Sequence, residues 1–146
     1  MNLDMKIKAE CRDKFIENDQ LLDNYLALNF DDLTKEHISI LTGFKQKITG
    51  DFIIYKCLTN HAVFLNAADN KFYAVKALGD RFDEYFDKFP VLIRTTLLPY
   101  NGKIIYDGFV KSSGVCFGSG ITSTIKDEYM KAKKQNSILT TLSSLF

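Results

Sequence analysis

Tyr106-Asp107-Gly108 ends an apolar run, Lys103 to Val110, on a carboxylate. A carboxylate at a strand end can act as a general acid or base when a partner lies within hydrogen-bond reach. Its structural alternative is to cap the turn at Gly108 by accepting from nearby backbone N–H groups. Gly118-Ser119-Gly120, followed by Thr122-Ser123-Thr124 ahead of a helix, is a second candidate. Glycines let the backbone approach a ligand closely, and free N–H groups at a helix start attract anions. The spacing lacks the third glycine of a dinucleotide loop, and Lys126 does not stand at the Walker A position. Nor does Ser119 sit in a GxSxG elbow. A capped turn is the plainer expectation there.

The two histidines, His37 and His61, fall on an expected helix and at an expected hairpin turn. Neither belongs to an HExxH or a His/Cys cluster of metal-ligand spacing. Cys57 and His61 would meet on a helix, but here they straddle a turn, which weakens a Cys/His nucleophile pair. The candidate ligand-contacting set is therefore Tyr106, Asp107, Ser119 and His61. No catalytic residue, metal or cofactor is implied.

Composition narrows the partners. The 19 basic and 18 acidic residues leave a net charge of +1, whereas nucleic-acid binders usually carry a basic stripe or domain. The local clusters Lys6/Lys8, Lys45/Lys47 and Lys131/Lys133/Lys134 read as solvated faces. With 12 Phe and 7 Tyr, the set Tyr55, Phe64, Phe72, Tyr73, Phe82, Tyr85, Phe86 and Phe89 reads as core in preference to a base-stacking platform. Three dispersed cysteines without a CxxC indicate neither a disulfide framework nor a zinc knuckle, and imply a reducing, cytoplasmic setting. Met1 to Glu10 is charged, without the apolar stretch of a signal peptide, and no run is long enough to span a bilayer.

The elements that must position these residues follow from periodicity. Residues 1–49 read as helical, with apolar spacing of three or four from Met5 to Leu28. A break is expected near Asn18-Asp19, with Asp19 as cap. Asp31-Asp32 forms a connection, and Thr34 is the cap of a further helix that stops at Gly50. From 50 to 121 the pattern is that of strands: Phe52 to Leu58, Ala62 to Leu65, the Asp69-Asn70 turn, then Phe72 to Val75. A short helix is expected over 80–89. Val91 to Leu98 and Lys103 to Val110 flank Asn101-Gly102, a strong hairpin signal because both residues tolerate positive φ. A strand at Val115 to Phe117 precedes a C-terminal helix over about 125–143, opened by Thr124 and Asp127 and burying Tyr129, Ala132, Ile138, Leu142 and Leu145. The sum is a single α+β domain with N-terminal helices, an antiparallel β-meander of about five or six strands and a C-terminal helix.

The run Leu97-Leu98-Pro99-Tyr100-Asn101-Gly102-Lys103-Ile104-Ile105-Tyr106-Asp107-Gly108 resembles a motif of a group of uncharacterised bacterial proteins, LLP-x-x-G-x-IIYDG. The resemblance extends from about Leu33 to the C-terminus. It takes in Gly50 to Tyr55, Ala62 to Leu65, Tyr73 to Val75, Phe117 to Ile121 and the final helix. Some members of that group carry a SEC-C type zinc motif, whose cysteines are absent here, so the resemblance brings no zinc. It implies one coherent domain and no defined activity.

The expected function is thus a non-catalytic binding or accessory module that engages a protein partner or associates with itself. The alternative is a small-ligand binder or enzyme with a pocket near Asp107 and Ser119. Nucleic-acid binding through Lys131, Lys133 and Lys134 ranks third.

Overall fold

The computed structural model describes residues 3–28, 33–78, 81–108 and 110–142. Asp31-Asp32 and Leu145 lie outside the described residues. The chain divides into two compact units, Met1–Lys45 and Gln46–Phe146.

The first unit is helical: α1 (Leu3–Glu17), α2 (Asp19–Leu28) and α3 (Lys35–Gly43). Asn18, one residue before the expected cap, separates α1 from α2 and accepts from the Gln20 N–H at 3.0 Å. Its side chain satisfies one of the donors left open at a helix start. Thr34 caps α3 as expected, its hydroxyl accepting from the His37 N–H at 3.2 Å. Lys45 pairs with Asp23 of α2. The helix expected to run to Gly50 stops at Gly43 and passes through a 3-10 turn, Phe44–Gln46. Gly50 instead lies within a strand, because Ile48, Phe52 and Ile54 alternate onto the core at period two.

The second unit is built on six strands: β1 (Ile48–Cys57), β2 (Ala62–Asn66), β3 (Phe72–Lys76), β4 (Val91–Tyr100), β5 (Lys103–Tyr106) and β6 (Lys111–Cys116). A four-residue α4 (Phe82–Tyr85) lies between β3 and β4, and α5 (Ser119–Lys134) follows β6. The α+β class, the helices at either end and the strand number are those expected. The pairing is mostly antiparallel, with three departures from a meander. β3 and β5 run parallel, β1 pairs with β4 as well as with β2, and β6 pairs with β4 in place of β5. The ten-residue β1 makes its double pairing possible, since Ile48 to Ile54 lie along β4 and Phe52 to Cys57 along β2, with Phe52, Ile53 and Ile54 paired on both sides. The ring β1-β2-β3-β5-β4-β1 is thereby closed, as a five-stranded Greek-key barrel of the OB type.

Inside the ring sit Phe52, Ile54, Phe64, Val75, Ile93, Leu97 and Ile104, all essentially inaccessible. Burying each such side chain contributes about 1.5–3 kcal/mol. Every residue of β2 is buried because both its faces are covered. Ala62 and Phe64 point into the barrel, while Val63 and Leu65 lie under α5 with Phe72, Ile125, Tyr129 and Ala132. Tyr129 anchors the helix, its ring 5.2 Å from Tyr55 and 5.8 Å from Phe72. The Lys56 ammonium stands 4.6 Å from the Tyr129 ring centroid.

Several local readings change: the strand expected at Val115 to Phe117 is β6, Lys111–Cys116, and the helix expected over 80–89 is the single turn of α4. α5 starts at Ser119 with Gly118 as its cap residue, earlier than the Thr124 and Asp127 start, and ends at Lys134. The Thr122 and Thr124 hydroxyls donate back to the carbonyls of Gly118 and Gly120, each at 3.0 Å. These threonines sit inside the helix, satisfied by the preceding turn. The expected strand from Lys103 to Val110 ends at Tyr106, because Gly108 turns the chain at φ +89°.

Candidate functional site

The Asn101-Gly102 turn fixes one wall of the site. Its residues have φ of +48° and +73°, the left-handed pair that a two-residue hairpin requires. Tyr100 and Lys103 are consequently paired directly across β4 and β5. Val75 and Ile104 are paired across the parallel β3–β5 ladder, and both are fully buried in the barrel. Their sequence neighbours Lys76 and Lys103 therefore turn outward, since side chains alternate along a strand. The two side-chain nitrogens come together there. A hydrogen bond donated by the Lys103 ammonium to the Lys76 amine nitrogen, and then the charge of Lys103, hold Lys76 below the ordinary lysine pKa.

The opposite wall is the β1–β2 turn, closed by the Leu58 N–H donating to the His61 carbonyl at 2.8 Å. Arg81 secures this turn by donating to the Leu58 carbonyl at 3.4 Å, while its guanidinium pairs with Asp83 at 2.9 Å. The end of α5 and the chain after it form the third wall. That chain returns along β3, Leu139 donating to the Phe72 carbonyl at 2.9 Å and accepting from the Ala74 N–H at 2.8 Å. Together these walls enclose a groove of about 950 Å³ lined by His61, Lys76, Arg81, Lys103, Lys133 and Asn136, among others. Among the described residues no carboxylate lines it.

Of the four residues singled out from sequence, the structure brings His61 to this groove. Tyr106 is buried in the barrel core, its ring 5.0 Å from Phe82. Asp107 is half-buried at the end of β5, and its N–H continues the ladder to the Thr96 carbonyl at 3.1 Å. Ser119 is exposed on the first turn of α5. Cys57 lines the groove beside His61, but burial, followed by the charge of Asp83, pushes its thiol pKa up. A thiol kept protonated is a poor nucleophile. No group of three or more potential metal ligands occurs among the described residues.

Comparison with known proteins finds no matching family model, no matching curated protein and no matching solved structure.

The aromatic set divides as core packing requires. Phe64, Phe72, Tyr73 and Phe82 are buried, and Tyr85 alone of the eight is exposed. The residues that sequence reasoning missed are Lys76 and Lys103. Each is a lone lysine at a strand end, and neither stands in a cluster. The available signal was positional: Lys76 closes the Phe72–Lys76 run and Lys103 follows the turn glycine, so both mark the same end of the sheet.

Proposed function

We propose that the Gln46–Phe146 unit is a non-catalytic binding module whose groove takes an anionic ligand. The observation that carries this reading is the convergence of Lys76, Lys103 and Lys133 on one concavity, with no lining carboxylate among the described residues; Arg81 also lines it, with its charge paired to Asp83. Such a cleft concentrates positive potential even when the net charge of the whole chain is near zero. The proximity of Lys76 and Lys103 adds to this, because a like-charged pair is relieved by an anion placed between its members. Calorimetric titration of the full chain with inorganic tripolyphosphate tests the reading. Binding that weakens with added salt and disappears in the Lys76→Glu/Lys103→Glu double variant supports it. Unchanged binding in that variant contradicts it.

A second reading, engagement of a protein partner or self-association, is favoured by the first unit. Leu21, Tyr25 and Leu28 share one side of α2 and are exposed, Leu28 by 60%. Contiguous apolar exposure of this kind marks contact sites. Sedimentation of the full chain should show a concentration-dependent mass that Leu28→Glu abolishes. A monomer at all concentrations would exclude self-association.

A further inference from the structure

We infer that Lys76 is a nucleophilic amine that captures, as an imine, an aldehyde or ketone whose phosphate or carboxylate is held by Lys133; this rests on the anion-binding reading above. Lys76 ends β3 and is exposed in the groove. The short parallel ladder pairs Val75 with Ile104 and Lys76 with Ile105. Lys103 stands two residues before Ile105 on β5, so it shares the face of Ile105 and Lys76. The backbone thus fixes two lysines side by side on one wall.

An amine attacks a carbonyl through its lone pair, which the ammonium form lacks. Among the described residues no carboxylate lines the groove to hold Lys76 charged. The titratable side chains that do line it include His61, Arg81, Lys103 and Lys133, all basic. Lys103 donates to the Lys76 nitrogen and keeps it in the amine form more readily than an ordinary lysine. Elsewhere lysines meet partners that attract a cation: Lys45 the Asp23 carboxylate, Lys56 the Tyr129 ring.

The pair supplies both groups that imine formation needs. The Lys76 nitrogen forms a bond to the carbonyl carbon while the Lys103 ammonium gives a proton to the carbonyl oxygen. The nitrogen then sheds a proton back to Lys103, leaving a neutral carbinolamine. Loss of its hydroxyl as water takes a proton from Lys103 and returns one from the nitrogen, leaving the C=N bond. Nothing is oxidised or reduced, and water reverses the capture. Lys133, in the last turn of α5, lies on another wall of the groove. An anion held there leaves Lys103 beside Lys76. The volume of about 950 Å³ is that of a small-molecule site, and Ala74, Ala77 and Ile138 in its lining suit a carbon skeleton.

The test mixes the full chain with pyridoxal 5′-phosphate, an anionic aldehyde, reduces the imine with borohydride and locates the label by peptide mass spectrometry. Circular dichroism confirms the fold of each variant. Lys76 should be labelled first, and inorganic tripolyphosphate should suppress its labelling. Lys76→Arg, which keeps the charge, should lose the label and still bind tripolyphosphate. Lys103→Gln should slow labelling of Lys76, and Lys133→Gln should slow it for pyridoxal 5′-phosphate but not for pyridoxal. Labelling spread evenly over the lysines would overturn the capture, and tripolyphosphate binding in the same sample would leave the anion site standing. Selective labelling of Lys76 that neither tripolyphosphate nor removal of the phosphate from the probe alters would overturn the anionic ligand. Even labelling without tripolyphosphate binding would remove both.

Discussion

The two stretches of the barrel's outer surface are chemically opposite, and β3 carries both. Phe72 and Lys76 lie on the same face of this strand, yet Phe72 is under α5 while Lys76 is exposed in the groove. Around Phe72 the surface is apolar and closed by the chain's own helix. Around Lys76 it is cationic and open. Closing the first stretch is a matter of stability, because its apolar side chains would otherwise face water. The second stretch would repel itself if closed, since bringing Lys76, Lys103 and Lys133 together without counter-charge is unfavourable. The difference teaches that α5 is both a cover and a wall: Tyr129 anchors it, and Lys133 one turn on lines the groove.

The sharpest contrast lies between truncations under the two regimes. Phe64→Ala in the barrel interior should cost about 3–5 kcal/mol and Leu65→Ala under α5 about 2–5 kcal/mol. Lys76→Gln and Lys103→Gln should stay within about 0.5 kcal/mol, as exposed substitutions do. Urea denaturation of the four variants measures this directly. A lysine variant as damaging as the apolar ones would mean that the groove is part of the structural core.

A smaller effect is expected where the turn joins the two regions. No atom lies within 4 Å of a Cβ placed on Gly102, but its φ is +73°. Gly102→Val is therefore strained by backbone conformation alone, at about 1–3 kcal/mol. Gly102→Asn should be much milder, because asparagine tolerates this region. Thermal unfolding separates them, and an unchanged midpoint for Gly102→Val would refute the turn.

Titration gives the smallest effect, with opposite signs on the two sides. Lys76 has a lowered pKa in the folded chain, so its contribution opposes folding at neutral pH and is relieved as pH rises toward the ordinary lysine value of about 10.4. Tyr73 in the core has a raised pKa, from burial and then from the charge of Asp69. Its contribution is intact below about pH 10, the unfolded value, and is lost as pH rises through the higher folded value. NMR titration of Lys103→Gln should return Lys76 toward the ordinary value and leave Tyr73 unmoved. A Lys76 pKa indifferent to Lys103 would dissolve the pair.

What was legible in the sequence was local chemistry. Asn101-Gly102 and Asp69-Asn70 announce turns by residue type, and both asparagines take positive φ, +48° and +58°. Thr34 announces its cap in the same way. The start of α5 was misplaced because threonine serves equally as a cap or as a back-bonded helix residue, and only the neighbouring carbonyls decide. The parallel β3–β5 pair and the closure of β1 on β4 were illegible for another reason. Periodicity shows that a strand has two faces, but not which strand lies at its edge. The groove inherits that illegibility, since Lys76, Lys103 and Lys133 meet only through those pairings. His61 was found because a polar residue at a hairpin end stands out within its own few residues.

The central claim is that the cationic stretch receives a ligand while the apolar stretch serves the fold. Amide chemical-shift mapping of the full chain during titration with inorganic tripolyphosphate tests it most directly. The account predicts perturbations at Lys76, Gly102, Lys103 and Lys133, with Val63 and Leu65 unmoved. Perturbations centred on Val63 and Leu65, or none at the groove, would contradict it.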